Sequence, residues 1–250
     1  MKFRLTEIDF CIIKSERSYN MIGIICALQL EIDGLKALME NSEVTEKAGL
    51  EFISGKIFEK DVVLLESGVG KVNAAVGTQI LIDLFKPDVI INSGIAGSLT
   101  KHVTIGDIVI SNDCVEHDIN CTAINEPRGQ IWFPNEKRID IPADKEVCEK
   151  LAECCQNLGA HVHIGRIATG DIFIMNKAPR EFIAFEFGAL CCEKEGAAVG
   201  HVCYMNKVPF AILRSISDDM KFYEAENYDE FKQLAADRVI KALKKYIKDY

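Results

Sequence analysis

Short apolar runs that end in glycine-rich or acidic residues set the rhythm of this chain. Residues 21–27 (MIGIICA) are almost continuously apolar, as a strand buried on both faces requires. Leu28, Ile32, Leu35 and Leu38 then recur at helical spacing. Residues 51–58 and 62–65 read as a strand pair joined near Glu59, Lys60 and Asp61. The turn SGVGK (67–71) leads into residues 72–85, whose apolar face suits a helix packed on a sheet. Pro87 precedes a second buried strand, DVIIN (88–92), which is expected to end in the turn SGIAGS (93–98). Residues 105–115 read as one or two strands, 144–158 as a helix, and 162–168 as a strand ending in TGDIF (169–173). A short strand over 187–192, a helix over 195–205, a last buried strand over 210–215 ending in ISDD, and a helix over 226–247 complete the pattern. Residues 120–138, with Pro127, Gly129, Pro134 and the single Trp132, follow no period. Such a stretch inside a compact domain is usually functional or mobile.

Strands alternating with helices predict an α/β domain with a mixed, mostly parallel central sheet flanked by helices. The domain is expected to span residues 21–250, with residues 1–20 as an extension to which no role is assigned. In open α/β sheets ligands bind beyond the carboxyl ends of the strands. The segments to search are therefore 28–31, 67–71, 93–98, 169–173, 192–195 and 215–218.

Composition narrows the functional classes. The 250 residues carry 29 Lys and Arg against 38 Asp and Glu, a net charge of −9, which disfavours a nucleic-acid backbone as partner. Hydrophobic residues at 48% suffice for a large core. No apolar run reaches the length of a membrane span or of a signal peptide. Ten cysteines are too few for a disulfide scaffold at this size and contain no C-x-x-C pair, so they read as small buried hydrophobes in a reducing cytosol.

Three carboxylates fall at three separate strand ends: Glu31, Glu195 and Asp218, with Arg214 just before the last. Each alone is what a helix N-terminus favours through its dipole; the coincidence of all three with glycine-rich turns is what points to a site. SGVGK lacks the spacing of a P-loop and, with Asn73, of a dinucleotide fingerprint, so nucleotide phosphate is not its expected ligand. Gly94 and Gly97 leave space beside the sheet. His117 and Asp118 are a weaker catalytic candidate. His161 and His163 alternate on one strand face, but no third ligand is close in sequence and zinc is not expected.

The segments IGIICALQLE, SGVGKVNAA, PDVIINSGIAGSL, GDIVIS, the HD of VEHD, TGDIFI, CEKEGAAVGHVC and VPFAILRSISD cover, in order, most of the chain after Asn20. As a set they resemble the methylthioadenosine/S-adenosylhomocysteine nucleosidases of the nucleoside phosphorylase superfamily. The resemblance implies hydrolysis of the N-glycosidic bond of an adenine thionucleoside, giving adenine and a thioribose, as in methionine salvage. It assigns Asp218 as the acid that protonates the departing purine at N7 and Glu31 as the base that activates water. Glu195 would grip the ribose hydroxyls, Arg214 would stand near the water and Glu31, and Phe173 would stack on the base. The backbone of Ile174 would read the adenine edge, Ala96 and Gly97 would border the substrate, and Ser217 would support Asp218. It implies no cofactor, no metal, no membrane or nucleic-acid partner, and a cytoplasmic homodimer binding an adenine nucleoside.

Three departures from the family pattern stand out. Lys194 replaces the methionine expected between the two glutamates of ExE, beneath the ribose, where an ammonium would oppose developing positive charge or pair with Glu195 or Glu31. Ile95 replaces a serine near the water. The segment around Ile124 lacks the aromatic often lent to a neighbouring subunit, for which Trp132 or Phe133 could stand in. Two rival readings follow. One is a phosphorylase using phosphate instead of water, which the acid at position 31 and the lack of arginine between Arg17 and Arg128 disfavour and which Lys71 and Lys194 keep open. The other is a nucleoside-binding relative weakened or silenced by Lys194.

Overall fold

The computed structural model describes residues 20–219 and 225–249, with side chains in the last stretch described from residue 231 onward. The expected extension therefore lies outside the described residues except for Asn20.

Strand β1 (Met21–Cys26) lies at the centre, because its side chains are apolar in both directions. It pairs in parallel with β4 (Lys60–Glu66) on one side and β5 (Val89–Ser98) on the other. Alternation along β4 shows how two faces are fed from one strand: Val62 and Leu64 enter one core, Val63 and Leu65 the other. The first core is closed by α1 (Gln29–Lys36), α3 (Lys145–Asn157) and α6 (Ala225–Asp249) through Ile32, Leu151 and Leu243. The second is closed by α2 (Lys71–Phe85) and α5 (Gly196–Asn206) through Leu81 and Val199. Helix ends follow local chemistry. The Asp144 carboxylate accepts from the Val147 N–H (3.1 Å) and caps α3, and α2 stops at left-handed Lys86, just ahead of Pro87.

The sheet runs from β2 (Glu40–Lys47) through β3 (Leu50–Ile57), β4, β1, β5, β12 (Phe210–Asp218), β6 (Ile108–Glu116) and β10 (Val162–Thr169) to β11 (Cys191–Glu193). Strand β11 then pairs with β5, Cys192 opposite Gly97, so the last five strands close into a ring. The strand β9 (Asp140–Pro142) adds to β6, and β7 (Ile131–Trp132) with β8 (Lys137–Arg138) forms a separate ribbon.

The expectation of a mostly parallel sheet is corrected. Among the described residues the large sheet has five parallel pairings and five antiparallel ones. The antiparallel share comes from the hairpins β2–β3–β4, whose short connections permit only that orientation, from the reversed entry of β6 beside β12, and from the pairings of β9 with β6 and β11 with β5.

Three further differences bear on the site. β5 does not end at Asn92 but continues through Ser98, so SGIAGS is strand rather than turn. Likewise β12 reaches Asp218. A helix, α4 (Lys177–Phe187), fills the stretch before β11 where no element was expected, and its Ile183 and Phe187 seal a third small core.

Candidate active site

A cavity of about 220 Å³ opens where β5, β11 and β12 meet the start of α1 and the segment 172–174. Glu31 is one of its lining residues. It is the third residue of α1, so its side chain folds back over the helix start. Its Oε2 accepts from the N–H groups of Ala27 (3.0 Å) and Leu28 (2.9 Å), and its Oε1 accepts from Ile95 N–H (3.0 Å). Burial pushes its carboxyl above the ordinary value; the nearby positive charge of Arg214 and those three N–H donors pull the other way. A carboxylate so placed accepts protons closer to neutral pH, as a general base must.

Asp218, at the end of β12, lines the same cavity. Its Oδ1 accepts from Ser217 Oγ (2.9 Å), and its Oδ2 is ion-paired with Arg180. The sequence reading did not single out Arg180. Its guanidinium, buried on α4, also donates to Ser98 O (3.0 Å) and Ile174 O (3.1 Å). One side chain thus ties the acid, the end of β5 and the segment expected to read the base. Its signal in sequence was an unread helix.

The glycines of β5 explain how two carboxylates fit against one strand. A Cβ on Gly94 would lie 2.6 Å from Glu31 Oε1, and one on Gly97 would lie 2.7 Å from Asp218 Oδ2. Gly94 and Gly97 are three residues apart, roughly 10 Å at about 3.3 Å per strand residue.

Glu195 stands on the cavity wall at the mouth of α5. Its Oε1 accepts from Gly70 N–H (2.8 Å), a donor presented by a backbone at φ 102° that favours glycine. Burial, reinforced by the charge of Glu193, lifts its carboxyl to about 7. Glu193, the outer glutamate of ExE, also lines the cavity and was not singled out from sequence. It is ion-paired with Arg214, accepts from Thr169 Oγ1, and caps α5 through the N–H groups of Glu195 (3.0 Å) and Gly196 (2.7 Å).

Phe173, Ile174, Ala96, Gly97, Lys194 and Ser217 all line the same cavity. Arg214 does not. It lies fully buried behind the wall, bound to Glu193, Asn92 Oδ1 and the carbonyls of Asn92 (3.1 Å) and Leu213 (3.0 Å). It acts on Glu31 through its charge. Lys194 makes no ion pair with Glu31 or Glu195 among the described residues. Cys192 lines the cavity as a thiol, burial holding it up at about 12.

The second candidate pair sits elsewhere. His117 is buried outside the cavity, its basicity lowered by burial. Asp118 joins Glu116 in holding Lys71 Nζ (2.7 and 3.0 Å), while Lys71 N–H donates to Asp171 (2.9 Å). This cluster fixes the SGVGK turn against the TGDIF segment and so aims Gly70 at Glu195. Phe133 is turned inward against His201 and Tyr204, whereas Trp132 and Ile124 are exposed.

Comparison with known proteins shows the family. The phosphorylase superfamily model matches residues 21–248. The 5'-methylthioadenosine/S-adenosylhomocysteine nucleosidase of Oceanobacillus iheyensis is 39% identical over 216 residues, 86% of this chain and 93% of that protein. The chain belongs to this nucleosidase family. The Neisseria meningitidis nucleosidase, solved with methylthio-immucillin-A, superposes with a TM-score of 0.86 at 32% identity, covering 92% of this chain and all of that one. Futalosine hydrolase of Helicobacter pylori superposes equally, TM-score 0.86 at 31% identity, over 92% of this chain and 98% of that one. The cavity itself is lined from α1, β5, β11, β12 and the segment after β10.

Proposed function

We propose that this chain hydrolyses the N-glycosidic bond of methylthioadenosine, S-adenosylhomocysteine or both, releasing adenine and a thioribose, with Glu31 as base and Asp218 as acid. The observation that carries the reading is that these two carboxylates pack on Gly94 and Gly97 of one strand and line one cavity. In an inverting glycosidase about 6.5–9.5 Å separates acid from base. Here the acid addresses N7, beyond the glycosidic nitrogen, with the sugar and the attacking water between the two groups.

The roles follow from atoms. Arg180 can only donate, so it fixes Asp218 Oδ2 and leaves Oδ1, oriented by the Ser217 hydroxyl, as the oxygen that hands its proton to N7. Protonating N7 lets the purine leave as a neutral base. Water on the far side of the sugar gives its proton to Glu31 as it attacks C1'. Glu195 holds the ribose hydroxyls, Phe173 covers the base, and the Ile174 backbone faces the adenine edge. Arg214 tunes Glu31 from behind the wall.

The phosphorylase reading loses ground in these contacts. Lys71 is committed to Glu116 and Asp118, Arg180 to Asp218 and Arg214 to Glu193, and Glu31 occupies the side a phosphate would enter. Lys194 sustains the reading of a weakened enzyme, since its ammonium would oppose an oxocarbenium-like sugar.

The catalytic unit we propose spans residues 21–250 and is a homodimer. Exposed Val69, Ile172 and Phe173 of the cavity lining, with exposed Val72 and Val76 on α2, supply the apolar surface a partner would cover. A cysteine-rich buried core suits a cytoplasmic, reducing setting. Chromatography of methylthioadenosine and S-adenosylhomocysteine reactions tests the function. Adenine and the free thioribose should form at one rate with or without phosphate, and Lys194→Met should turn over faster than the wild type. A thioribose 1-phosphate product, or dependence on phosphate, would refute hydrolysis; no turnover by the wild type would leave only binding.

A further inference from the structure

At the starts of β6 and β10, away from the cavity, the fold supplies what the sequence left missing. His161 and His163 lie two residues apart on one strand face, and the chain brings Asp107 between them from 54 and 56 residues away. Asp107 Oδ1 is 3.2 Å from His161 Nδ1, and Oδ2 is 3.1 Å from His163 Nε2. The three ligand atoms all lie within 4.8 Å of one another. The two imidazoles meet edge-on, centroids 4.5 Å apart. We propose that Asp107, His161 and His163 form a binding site for a divalent transition-metal ion of the zinc type, independent of the catalytic reading.

The donor set selects the ion. Two imidazole nitrogens with one carboxylate suit zinc, nickel or copper and not calcium or magnesium, which demand oxygen. Three protein ligands leave a fourth position for water. The carboxylate is already oriented by a second layer of bonds, accepting from Thr104 N–H (2.9 Å) and Thr104 Oγ1 (3.3 Å) at Oδ2. Burial graded from Asp107 outward to the exposed His161 gives an ion a path from solvent. The neighbouring cation, Arg238, is engaged with the Gly106 carbonyl.

An ion here would pin the starts of two strands at a sensitive place. Gly106 N–H donates to Ile216 O (2.9 Å) and Ile216 N–H donates to Asp107 O (3.0 Å), two residues before the catalytic acid. The bound ion therefore acts as a clamp on the β6–β10 pair, against whose start the strand that carries Asp218 is hydrogen-bonded, and its first readout is stability.

The test titrates metal-stripped full-length chain with zinc chloride by calorimetry, follows Tm, and repeats both with His161→Ala and His163→Ala. His161 is exposed, so its variant folds. One ion per chain at micromolar affinity or tighter, with a raised Tm, is expected, and each variant should weaken binding at least tenfold and cancel the Tm rise. Cobalt loading checks the ligands: the spectrum should lack thiolate charge-transfer absorption. The proposal is overturned by no saturable binding up to millimolar zinc, by undiminished binding in both variants, or by sulfur ligation from the cysteines.

Discussion

Glu31 and Glu195 are both buried glutamates whose carboxyls are raised, yet they are anchored differently. Glu31 is held by three backbone N–H groups on both oxygens, which fixes its direction. Glu195 has one such donor and a like charge behind it. Its folded carboxyl, at about 7, lies above the ordinary 4.5. The folded protein then binds more protons than the unfolded chain between those values, so this group's contribution is full below pH 4.5 and is lost as pH rises through 7. Glu195→Gln keeps an oxygen for Gly70 and removes the charge. Urea unfolding should find the variant more stable than wild type at pH 8, by up to about 3 kcal/mol for such a shift, with the gap closing toward pH 4. An equal gap at both values would mean that the charge is not what burial penalises. At this scale the sequence was informative where a carboxylate broke an apolar rhythm. It was silent about Arg180, because an arginine on an exposed-looking segment carries no sign that its guanidinium turns inward.

The elements that matter most were those whose pattern conflicted with their environment. β5 was legible as far as Asn92 and then looked like a turn, since glycine is poor in strands by propensity. Its glycines are kept in the strand because two carboxylates occupy the space their side chains would fill. β2 was illegible for the opposite reason: all its residues are exposed, so no alternation of apolar positions marks it. The helix α4 was missed although Ile183 and Phe187 stand one turn apart, its apolar face being short. This helix delivers Arg180, and removing that anchor releases Asp218 and Ile174 together. Arg180→Met should lower kcat/KM for methylthioadenosine at least tenfold, with a loss in kcat as well as a rise in KM. A change in stability with unaltered kinetic constants would reduce Arg180 to a packing role.

Over the whole molecule, closure of five strands into a ring turns separate strand ends into one site. Without the β11–β5 pairing, Glu195 would stand apart from Gly97 and Asp218. The sequence predicted a mixed, mostly parallel sheet and could not show closure, because a three-residue strand carries almost no periodic signal. The exposed apolar residues of the cavity lining and α2 extend the same logic to a second copy. Val72→Glu places a charge on that face and should shift sedimentation from a dimer to the 27.9 kDa monomer, with a higher KM for methylthioadenosine. A wild-type chain that sediments as a monomer at full activity would contradict the proposed dimer.

The division of labour between the two carboxylates is tested most directly by changing the leaving group. A 4-nitrophenyl 5-methylthioriboside departs as a stable phenolate and needs no proton, whereas adenine does. Asp218→Asn should hydrolyse it at close to the wild-type rate while losing roughly 10²–10⁴-fold on methylthioadenosine, the usual worth of a general acid. Glu31→Gln should be slow on both. Equal losses on the two substrates for Asp218→Asn, or a Glu31→Gln variant that keeps its rate, would contradict the account.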